Sequence, residues 1–426
     1  MIPRAVAAIV LGLVSSCRVQ GITQVGIKHL LDVQKYPNAL CLDGSPGGFY
    51  IFANGTAASK WYVHHSGGGW CSQRVPATQG KPASFPESCY HRRTTKLGSS
   101  SDQFHAPVLP DFEAGGGYGS GDPNANPMMH DWNKVQLIYC DGGSFSGRNL
   151  TITTLGGEVL HFKGNFILEA VIDTLKKEYG LGSASDVVVS GGSAGGLATY
   201  LHTDQWRDSL ASSTFVVAMP DGGFFLDWAS SKPATAAHTY AYTLRADFLD
   251  FNASVNKACM TEVKASGIDE SICVFAEHTV SFIQTPLFAL QSVVDSWQLA
   301  NELGLVDVEK INEYREATTS RILTAFGNRL DRGGFIDSCM HHCGMWDQLH
   351  IDGVRMADAF SIWNKAQRLA WVNKAVPQGQ RFWWQAKTFP CKECCGNGIV
   401  YVESPFVDKS IVPFGTLSLT KGSIVV

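Results

Sequence analysis

The sequence is poor in charged residues and lacks an apolar run long enough to cross a membrane. Charged residues make up 17% of its 426 residues and the net charge is only -4, whereas 45% of the residues are hydrophobic. This composition allows a large buried core and excludes an intrinsically disordered chain. Clustered Lys and Arg are absent, which argues against nucleic acid or anionic lipid as a partner. Fixed-period repeats and heptads are also missing, which excludes solenoid and coiled-coil folds.

The N-terminus has the pattern of a secretory signal. Arg4 is followed by an apolar stretch from Ala5 to Val14 and then by small residues up to Cys17. The apolar stretch is too short to span a bilayer, and the small residues suit peptidase cleavage. We therefore predict a signal peptide over residues 1–17. Two alternatives are a lipoprotein cleavage site that leaves Cys17 lipidated, and a buried strand or helix.

Cysteines are frequent, and eleven of the 12 follow Cys17. Such a density is expected in an oxidising compartment, where most thiols pair as disulfides, and an odd number leaves one thiol free. Sequons at Asn54, Asn149 and Asn252 agree with a secreted glycoprotein. A zinc site is the alternative for one cluster, but the cluster lacks two clean C-x-x-C pairs, and we predict no metal. This cluster consists of His341, His342, Cys343, Cys391, Cys394 and Cys395.

Short apolar runs that end in glycine or polar residues recur along the chain. These runs are Trp61–Val63, Val135–Cys140, Val187–Val189, Phe215–Val217 and Leu287–Leu290. Apolar runs of this kind fit strands that are buried on both faces, as in a mostly parallel sheet covered by helices. Helical spacing between them predicts a helix capped by Asn165 that ends near Gly180, and further helices over 311–326 and 356–366. The alternation predicts an α/β protein with a three-layer α/β/α sandwich.

The sharpest local signal is a serine between glycines that directly follows one of these runs. Gly191, Ser193 and Gly195 form a G-x-S-x-G motif, and the residues after it can open a helix. A strand-to-helix turn this tight needs glycines, strains the backbone at the serine and projects its oxygen away from the sheet. We predict that Ser193 is a nucleophile. The alternative is a phosphate-binding or packing turn.

Attack by a serine hydroxyl requires donors for the developing oxyanion and a base for the proton. The N–H of Ala194 and the glycine-rich segment His64–Cys71 are the candidate donors. Because α/β hydrolases place the acid and then the histidine after the serine, Asp295, which closes an apolar run, is the candidate acid. The residues alone do not choose among three later histidines, nor do they exclude two other carboxylates. These are His341, His342 and His350, and Asp331 and Asp337.

Six segments, in this order, resemble the pectin acetylesterase family. They are Cys41–Pro46, Gly67–Cys71, Tyr139–Gly142, Ser190–Ala198, Asp295–Gln298 and Phe335–Cys339, the last followed by His342 and Cys343. The resemblance implies an α/β-hydrolase-like fold with a mostly parallel central sheet. It implies Ser193 as the nucleophile, Asp295 as the acid and His342 as the base. It also implies that the oxyanion donors are Gly69, Trp70 and Ala194.

Residues near this site carry further expectations. We predict that Gly68, Trp70 and Asp141 bind substrate, although Asp141, like Asp221, also suits a turn at the edge of the sheet. Trp297 is expected in the core.

The resemblance implies a secreted serine carboxylesterase that deacetylates a pectin-like cell-wall polysaccharide without a cofactor or metal. One alternative is a deacylase that removes a longer acyl chain from a lipidated protein or another carrier. The other is a carbohydrate-binding protein without activity. We expect a single domain over 18–400, a C-terminal tail over 401–426, no membrane span, no nucleic-acid partner and a monomer. The expected disulfides are Cys41–Cys140 and Cys71–Cys89.

Overall fold

The structure is a computed structural model that describes residues 25–52, 57–78, 87–110, 112, 117–228, 240–303 and 307–395. The predicted signal peptide over 1–17 and the predicted tail over 401–426 lie outside the described residues, as does Asn54. The single domain over 18–400 stays a prediction. Within the described ranges, none of the helices combines the length and the apolar character that a bilayer crossing requires.

Sixteen strands, numbered in chain order, lie in the described part of the chain. They are β1 (Gly26–Leu30), β2 (Gly48–Phe52), β3 (Ala57–His65), β4 (Cys71–Ser72), β5 (Glu87–Ser88), β6 (Val108–Leu109), β7 (Trp132–Leu137), β8 (Thr153–Leu155), β9 (Glu158–Leu160), β10 (Asp186–Gly192), β11 (Phe215–Asp221), β12 (Leu287–Ser292), β13 (Arg332–Asp337), β14 (His350–Ile351), β15 (Val354–Arg355) and β16 (Phe382–Trp384). Ten of them form one sheet in the order β16-β13-β12-β11-β10-β3-β7-β2-β1-β6. The others form the pairs β4-β5, β8-β9 and β14-β15.

The large sheet is parallel over most of its width. Neighbouring strands run parallel from β16 to β7. The strands β2, β1 and β6 extend this sheet with antiparallel pairing. The predicted mostly parallel sheet is therefore confirmed, and the carboxyl ends of β10, β11, β12 and β13 meet along one edge, where open α/β sheets bind their ligands.

Nine α-helices connect these strands in the described residues. They are α1 (Cys89–Arg92), α2 (Gly164–Glu178), α3 (Ala194–Ser209), α4 (Tyr240–Asp250), α5 (Lys257–Ala265), α6 (Ala276–Thr279), α7 (Ser296–Gln298), α8 (Val308–Phe326) and α9 (Met356–Asn373). Shorter 3-10 and π turns lie at Leu181–Ser183, Glu270–Val274, Val280–Phe282, Leu299–Leu303 and Glu393–Cys395. The helices predicted over 311–326 and 356–366 correspond to α8 and α9.

Apolar side chains of successive strand residues pack on opposite faces of the sheet. On β10, Val187 and Val189 belong to a hydrophobic cluster that contains side chains of α2, α3 and α8. Val188, between them, belongs to a second cluster that contains side chains of α9. The sheet is covered by helices on both faces, which confirms the predicted three-layer sandwich.

The predicted helix cap at Asn165 is wrong. Helix α2 begins at Gly164 and its cap position is Lys163, without a side-chain cap. Asn165 is buried inside the first turn, where its amide donates to Phe145 O and to the Gln205 side chain. Tertiary hydrogen bonds therefore take up the side chain that a local capping rule assigns to the helix end.

Five disulfides crosslink the described residues. Cys41–Cys140 and Cys71–Cys89 are present, so both predicted bridges are confirmed. The other three are Cys259–Cys273, Cys339–Cys395 and Cys391–Cys394. Cys343 is the free thiol among the described cysteines, as the odd count predicts. This many disulfides is typical of a protein that folds in an oxidising compartment.

Candidate active site

Ser193 lies between β10 and α3, at the carboxyl end of a central strand. Its φ is 59° and its ψ is -125°, a conformation that costs a residue with a Cβ conformational energy. The turn needs its glycines, because a Cβ added at Gly191 would meet Gly195 O at 2.2 Å, and one at Gly195 would meet His65 O at 2.0 Å. The backbone N–H of Ser193 donates to Asp221 O at 2.9 Å. The strained turn that the motif predicts is therefore present.

Two side chains from neighbouring strand ends form a hydrogen-bonded row with Ser193. His342, in the loop after β13, places its Nε2 2.7 Å from Ser193 Oγ. Its Nδ1 lies 2.9 and 2.8 Å from the two carboxylate oxygens of Asp295, which follows β12. Because an ionised carboxylate only accepts hydrogen bonds, Nδ1 carries the proton, and Nε2 of the neutral ring accepts from the Ser193 hydroxyl. The row can thus move the hydroxyl proton to the imidazole.

The short helix α7 holds the Asp295 carboxylate in place through backbone hydrogen bonds. Its Oδ1 accepts from the backbone N–H groups of Trp297 and Gln298, each at 3.0 Å. The side chain is 1% exposed. Because the carboxylate is shielded from solvent, these two backbone donors orient it toward His342.

The other histidines and carboxylates that the sequence leaves open lie elsewhere. His341 pairs with Asp337, its Nε2 being 3.1 and 3.2 Å from the two oxygens. Burial lowers the pKa of His341, but the Asp337 carboxylate outweighs burial and the pKa lies above its ordinary value. His350 is exposed and contacts a backbone carbonyl. Asp331 forms ion pairs with two arginines.

The glycine-rich segment after β3 lies directly against the serine turn. A Cβ added at Gly67 would meet Gly192 O at 2.2 Å and Ser193 Cβ at 3.0 Å. Gly69 has a φ of 64°, a conformation that favours glycine. Ala194 is the first residue of α3 and follows the serine directly. The structure therefore places Gly67 and Ala194 beside Ser193, and the role of Gly69, Trp70 and Ala194 as oxyanion donors stays a prediction.

Gly68 and Trp70, both predicted to bind substrate, are held by contacts within the protein. A Cβ added at Gly68 would meet the Leu97 side chain at 2.5 Å. Trp70 is 3% exposed, and its Nε1 donates to Ser144 Oγ at 2.7 Å, which in turn donates to Ala194 O at 2.7 Å. This chain of hydrogen bonds ties the Trp70 indole to the first turn of α3.

Aromatic rings pack on one another beside the imidazole. The Trp70 ring lies edge-on to Phe225 and Trp297, with centroid distances of 4.9 and 5.6 Å. Trp297 also stacks with His342 at 6.0 Å, and Tyr240 packs against Trp70 at 5.4 Å. Trp297 is partly buried and packs against the hydrophobic core, and it also contacts His342. Sequence reasoning missed Phe225 and Tyr240, although Phe225 follows a glycine pair at a strand end.

Asp141 and Asp221 are buried and hold backbone rather than face a cavity. The Asp141 carboxylate accepts from the N–H groups of Gly143 and Phe145 at 3.2 and 3.0 Å. Asp221 accepts from Gly344 N at 2.7 Å, in the loop that carries the imidazole. Burial raises the pKa of each carboxyl to about 7. Because Asp141 is 1% exposed, the prediction that it binds substrate does not fit, and it braces a turn instead.

The cysteines of the alternative zinc cluster are used in other ways. Cys391 and Cys394 pair with each other, and Cys395 pairs with Cys339. Over the described ranges, no group of three or more His, Cys, Asp and Glu side chains is arranged to hold a metal ion.

The fold and the strand-end arrangement define an α/β-hydrolase-like protein. A crystal structure of the Wnt deacylase Notum from Drosophila matches the fold with a TM-score of 0.67, at 24% sequence identity, over 85% of this chain and 97% of that chain. A family model described as Pectinacetylesterase matches residues 23–370. The chain therefore belongs to the pectinacetylesterase family.

Named relatives agree with this assignment. Pectin acetylesterase 5 of Arabidopsis thaliana is 32% identical over 335 residues, which cover 74% of this chain and 72% of the relative. The palmitoleoyl-protein carboxylesterase NOTUM of Schmidtea mediterranea is 25% identical over 350 residues, which cover 78% of this chain and 62% of the relative. The protein is an enzyme, a hydrolase that acts on ester bonds.

Proposed function

We propose that the protein removes acetyl groups from an O-acetylated, pectin-like cell-wall polysaccharide through an acyl-enzyme at Ser193. The observation that carries the proposal is the row from Ser193 Oγ to His342 Nε2, 2.7 Å, and from His342 Nδ1 to Asp295, 2.8 Å. The substrate class comes from relatives such as the Arabidopsis pectin acetylesterases. The proposed reaction needs neither a cofactor nor a metal.

Acylation begins when Ser193 Oγ attacks the ester carbonyl and its proton passes to His342 Nε2. The Asp295 carboxylate stays ionised, keeps the ring in the productive tautomer and stabilises the imidazolium. The carbonyl oxygen becomes an oxyanion that the N–H groups of Gly69, Trp70 and Ala194 would bind. Collapse of this intermediate breaks the bond to the sugar oxygen, which takes the proton from His342.

Deacylation repeats the same steps with water. His342 takes a proton from a water molecule that attacks the acetyl-Ser193 carbonyl. The second tetrahedral intermediate collapses, His342 returns its proton to Ser193 Oγ, and acetic acid leaves and ionises to acetate by giving one proton to solvent. Atoms and charge balance over the cycle, because one water is consumed for each acetate and proton released.

The aromatic packing beside the imidazole supports a small acyl group. The rings of Phe225 and Trp297 lie 5.5 Å apart and both contact the His342 ring. Rings packed this closely leave less room for a long chain next to the reacting carbonyl, which favours acetyl. Removal of a longer acyl chain is the second candidate, and the relatives named palmitoleoyl-protein carboxylesterase favour it.

An extracellular location fits this substrate. Five disulfides in the described residues agree with export, and cell-wall polysaccharide lies outside the cell. Glycosylation at the sequons and cleavage of a signal peptide stay predictions.

Acetate release from acetylated pectin tests the proposal. We expect the wild-type protein to release acetate and Ser193→Ala to release none above background. Acetylated xylan and a series of p-nitrophenyl esters of increasing chain length, assayed in parallel, define the carrier and the acyl group. Preference for acyl chains of about eight carbons or more would instead support the second candidate.

A further inference from the structure

Two backbone carbonyls of the glycine-rich segment converge on one buried guanidinium. Arg92 Nη2 donates to Gly68 O at 2.6 Å and to Gly69 O at 3.3 Å. The Tyr139 hydroxyl also donates to Gly69 O, at 2.7 Å. None of these donors touches Ser193, His342 or Asp295, so the proposed proton transfer does not use them.

The guanidinium is itself fixed in position. Arg92 Nη1 donates to Glu87 Oε2 at 2.8 Å and its Nε donates to Leu97 O at 3.3 Å. The Arg92 side chain is 1% exposed. The disulfide Cys71–Cys89 ties α1, which carries Arg92, to the end of the glycine-rich segment. A planar fork with several rigid donors suits this task better than a flexible ammonium.

The direction of these carbonyls determines where the predicted oxyanion donors point. The carbonyl of Gly68 shares a peptide plane with the N–H of Gly69, and the carbonyl of Gly69 shares one with the N–H of Trp70. These peptides are trans, and in a planar trans peptide the C=O and N–H bonds point in opposite directions. Both N–H groups therefore point away from Arg92, while the neighbouring Gly67 packs on Ser193.

We infer that Arg92 is a positioning residue that aims the Gly69 and Trp70 N–H groups at the oxyanion formed on attack by Ser193. The inference rests on the proposed function, because it needs an oxyanion at this place. The buried Glu87 balances the charge of Arg92, so the fork geometry matters more than the positive charge. Tyr139 assists at one of the two carbonyls.

Arg92→Lys separates geometry from charge, because lysine keeps the charge but has no planar fork. We expect kcat with p-nitrophenyl acetate to fall about 10²-fold, the cost of one lost oxyanion donor, with little change in KM. Affinity for a trifluoromethyl ketone, whose adduct with Ser193 carries an oxyanion, should fall by the same factor as kcat/KM. Tyr139→Phe should lower kcat about 3- to 10-fold, and it serves as the second variant if Arg92→Lys does not fold.

Arg93→Gln is the matched control, since Arg93 is the next residue and its guanidinium contacts Glu158 at 3.2 Å and Tyr90 O at 2.9 Å rather than the glycine-rich segment. Its kcat and inhibitor affinity should equal those of the wild type. Active-site titration corrects every rate for the fraction of folded protein. Wild-type kcat in both Arg92→Lys and Tyr139→Phe would overturn the inference and leave the proposed function intact. A wild-type protein no more active than Ser193→Ala would overturn the proposed function and the inference together.

Discussion

His341 and His342 are neighbours in sequence, and each binds an aspartate from one of two adjacent parallel strands, but their surroundings differ. The His342–Asp295 pair follows β12 and contacts Ser193 through the second ring nitrogen. The His341–Asp337 pair lies at the end of β13, and its second ring nitrogen, Nδ1, has no hydrogen-bond partner among the described residues. The His342 side chain is 20% exposed and the His341 side chain 10%.

The comparison shows that a His–Asp pair is not a functional signal by itself. In both pairs the carboxylate also accepts from backbone N–H groups, Asp295 from Trp297 N and Asp337 from Cys339 N. What distinguishes them is the third partner, because only the pair that contacts Ser193 can transfer a proton to and from a nucleophile. The His341–Asp337 pair can still stabilise the loop on which His342 lies.

Replacement of the two histidines should give the largest difference. We expect His342→Gln to lower kcat about 10⁶-fold, as removal of the base in a serine hydrolase does. We expect His341→Gln to keep kcat within about tenfold, since this ring does not contact the nucleophile. Initial rates with p-nitrophenyl acetate measure both effects, and circular dichroism checks that each variant is folded. Comparable losses in the two variants would remove the distinction between the pairs.

Replacement of the two aspartates should also lower kcat more at the His342–Asp295 pair than at the His341–Asp337 pair, but by a smaller factor than replacement of the histidines. Asp295→Asn should lower kcat about 10⁴-fold, because an amide favours the wrong imidazole tautomer. Asp337→Asn should leave kcat within about tenfold, since His341 lies outside the proposed proton path. Initial rates with p-nitrophenyl acetate measure kcat for both variants. A larger loss for Asp337→Asn than for Asp295→Asn would show that the pairs have been assigned the wrong way round.

The His341–Asp337 pair should act on stability and should do so as a function of pH. In the folded protein the pKa of His341 is raised, because the effect of the Asp337 carboxylate is larger than the opposing effect of burial. The contribution of the His341–Asp337 pair to the free energy of unfolding is therefore fully present below the unfolded pKa of about 6.5. It is lost as pH rises through the folded pKa of His341. We expect Asp337→Asn to lower the free energy of unfolding by about 2 kcal/mol at about pH 6, and by less at higher pH.

Denaturant unfolding of wild type and Asp337→Asn at several pH values measures this difference. Asp141 and Asp221, whose pKa values of about 7 also make stability fall with rising pH, are present in both proteins. The contribution of Asp141 cancels in the difference, whereas that of Asp221 cancels only in part, because the charges of His341 and Asp337 act on the pKa of Asp221. A difference between the two proteins that stays constant from acid to alkaline pH would contradict the proposed titration of His341.

Features that depend on short-range geometry could be predicted from the sequence. The turn at Ser193 requires glycines at fixed offsets, and continuous apolar runs such as Val187–Val189 require a strand covered on both faces. Asp295 is a candidate acid from its place after an apolar run, but the residues alone also leave Asp331 and Asp337 open. The choice of His342 over His341 depended on a family resemblance, because adjacent residues have the same local pattern and the direction of their loop is set by a distant contact, Gly344 N to Asp221.

Features that depend on distant parts of the chain could not be predicted. Arg92 reaches the glycine-rich segment across 24 residues, and nothing in its own neighbourhood marks it out. Phe225 and Tyr240 look like ordinary core residues until the packing around Trp70 is known. Asn165 shows the converse error, since a good capping residue is used for tertiary hydrogen bonds. In each case the tertiary fold decides among options that the local sequence leaves equal.

A backbone hydrogen bond links the two His–Asp pairs, and its removal should have the smallest effect on activity. Ser296 N donates to His341 O at 3.1 Å, which links the residue after Asp295 to the loop of both histidines. Ser296→Pro removes this donor and also places the proline Cδ against His341 O, while the backbone itself accepts proline, because Ser296 is the first residue of α7 and Asp295 already has an extended conformation. Loss of one such hydrogen bond should lower kcat/KM about 3-fold, whereas Ser296→Ala, which keeps the N–H, should match the wild type. Equal rates for all three proteins would mean that the His342–Asp295 pair holds its geometry without support from the His341 loop.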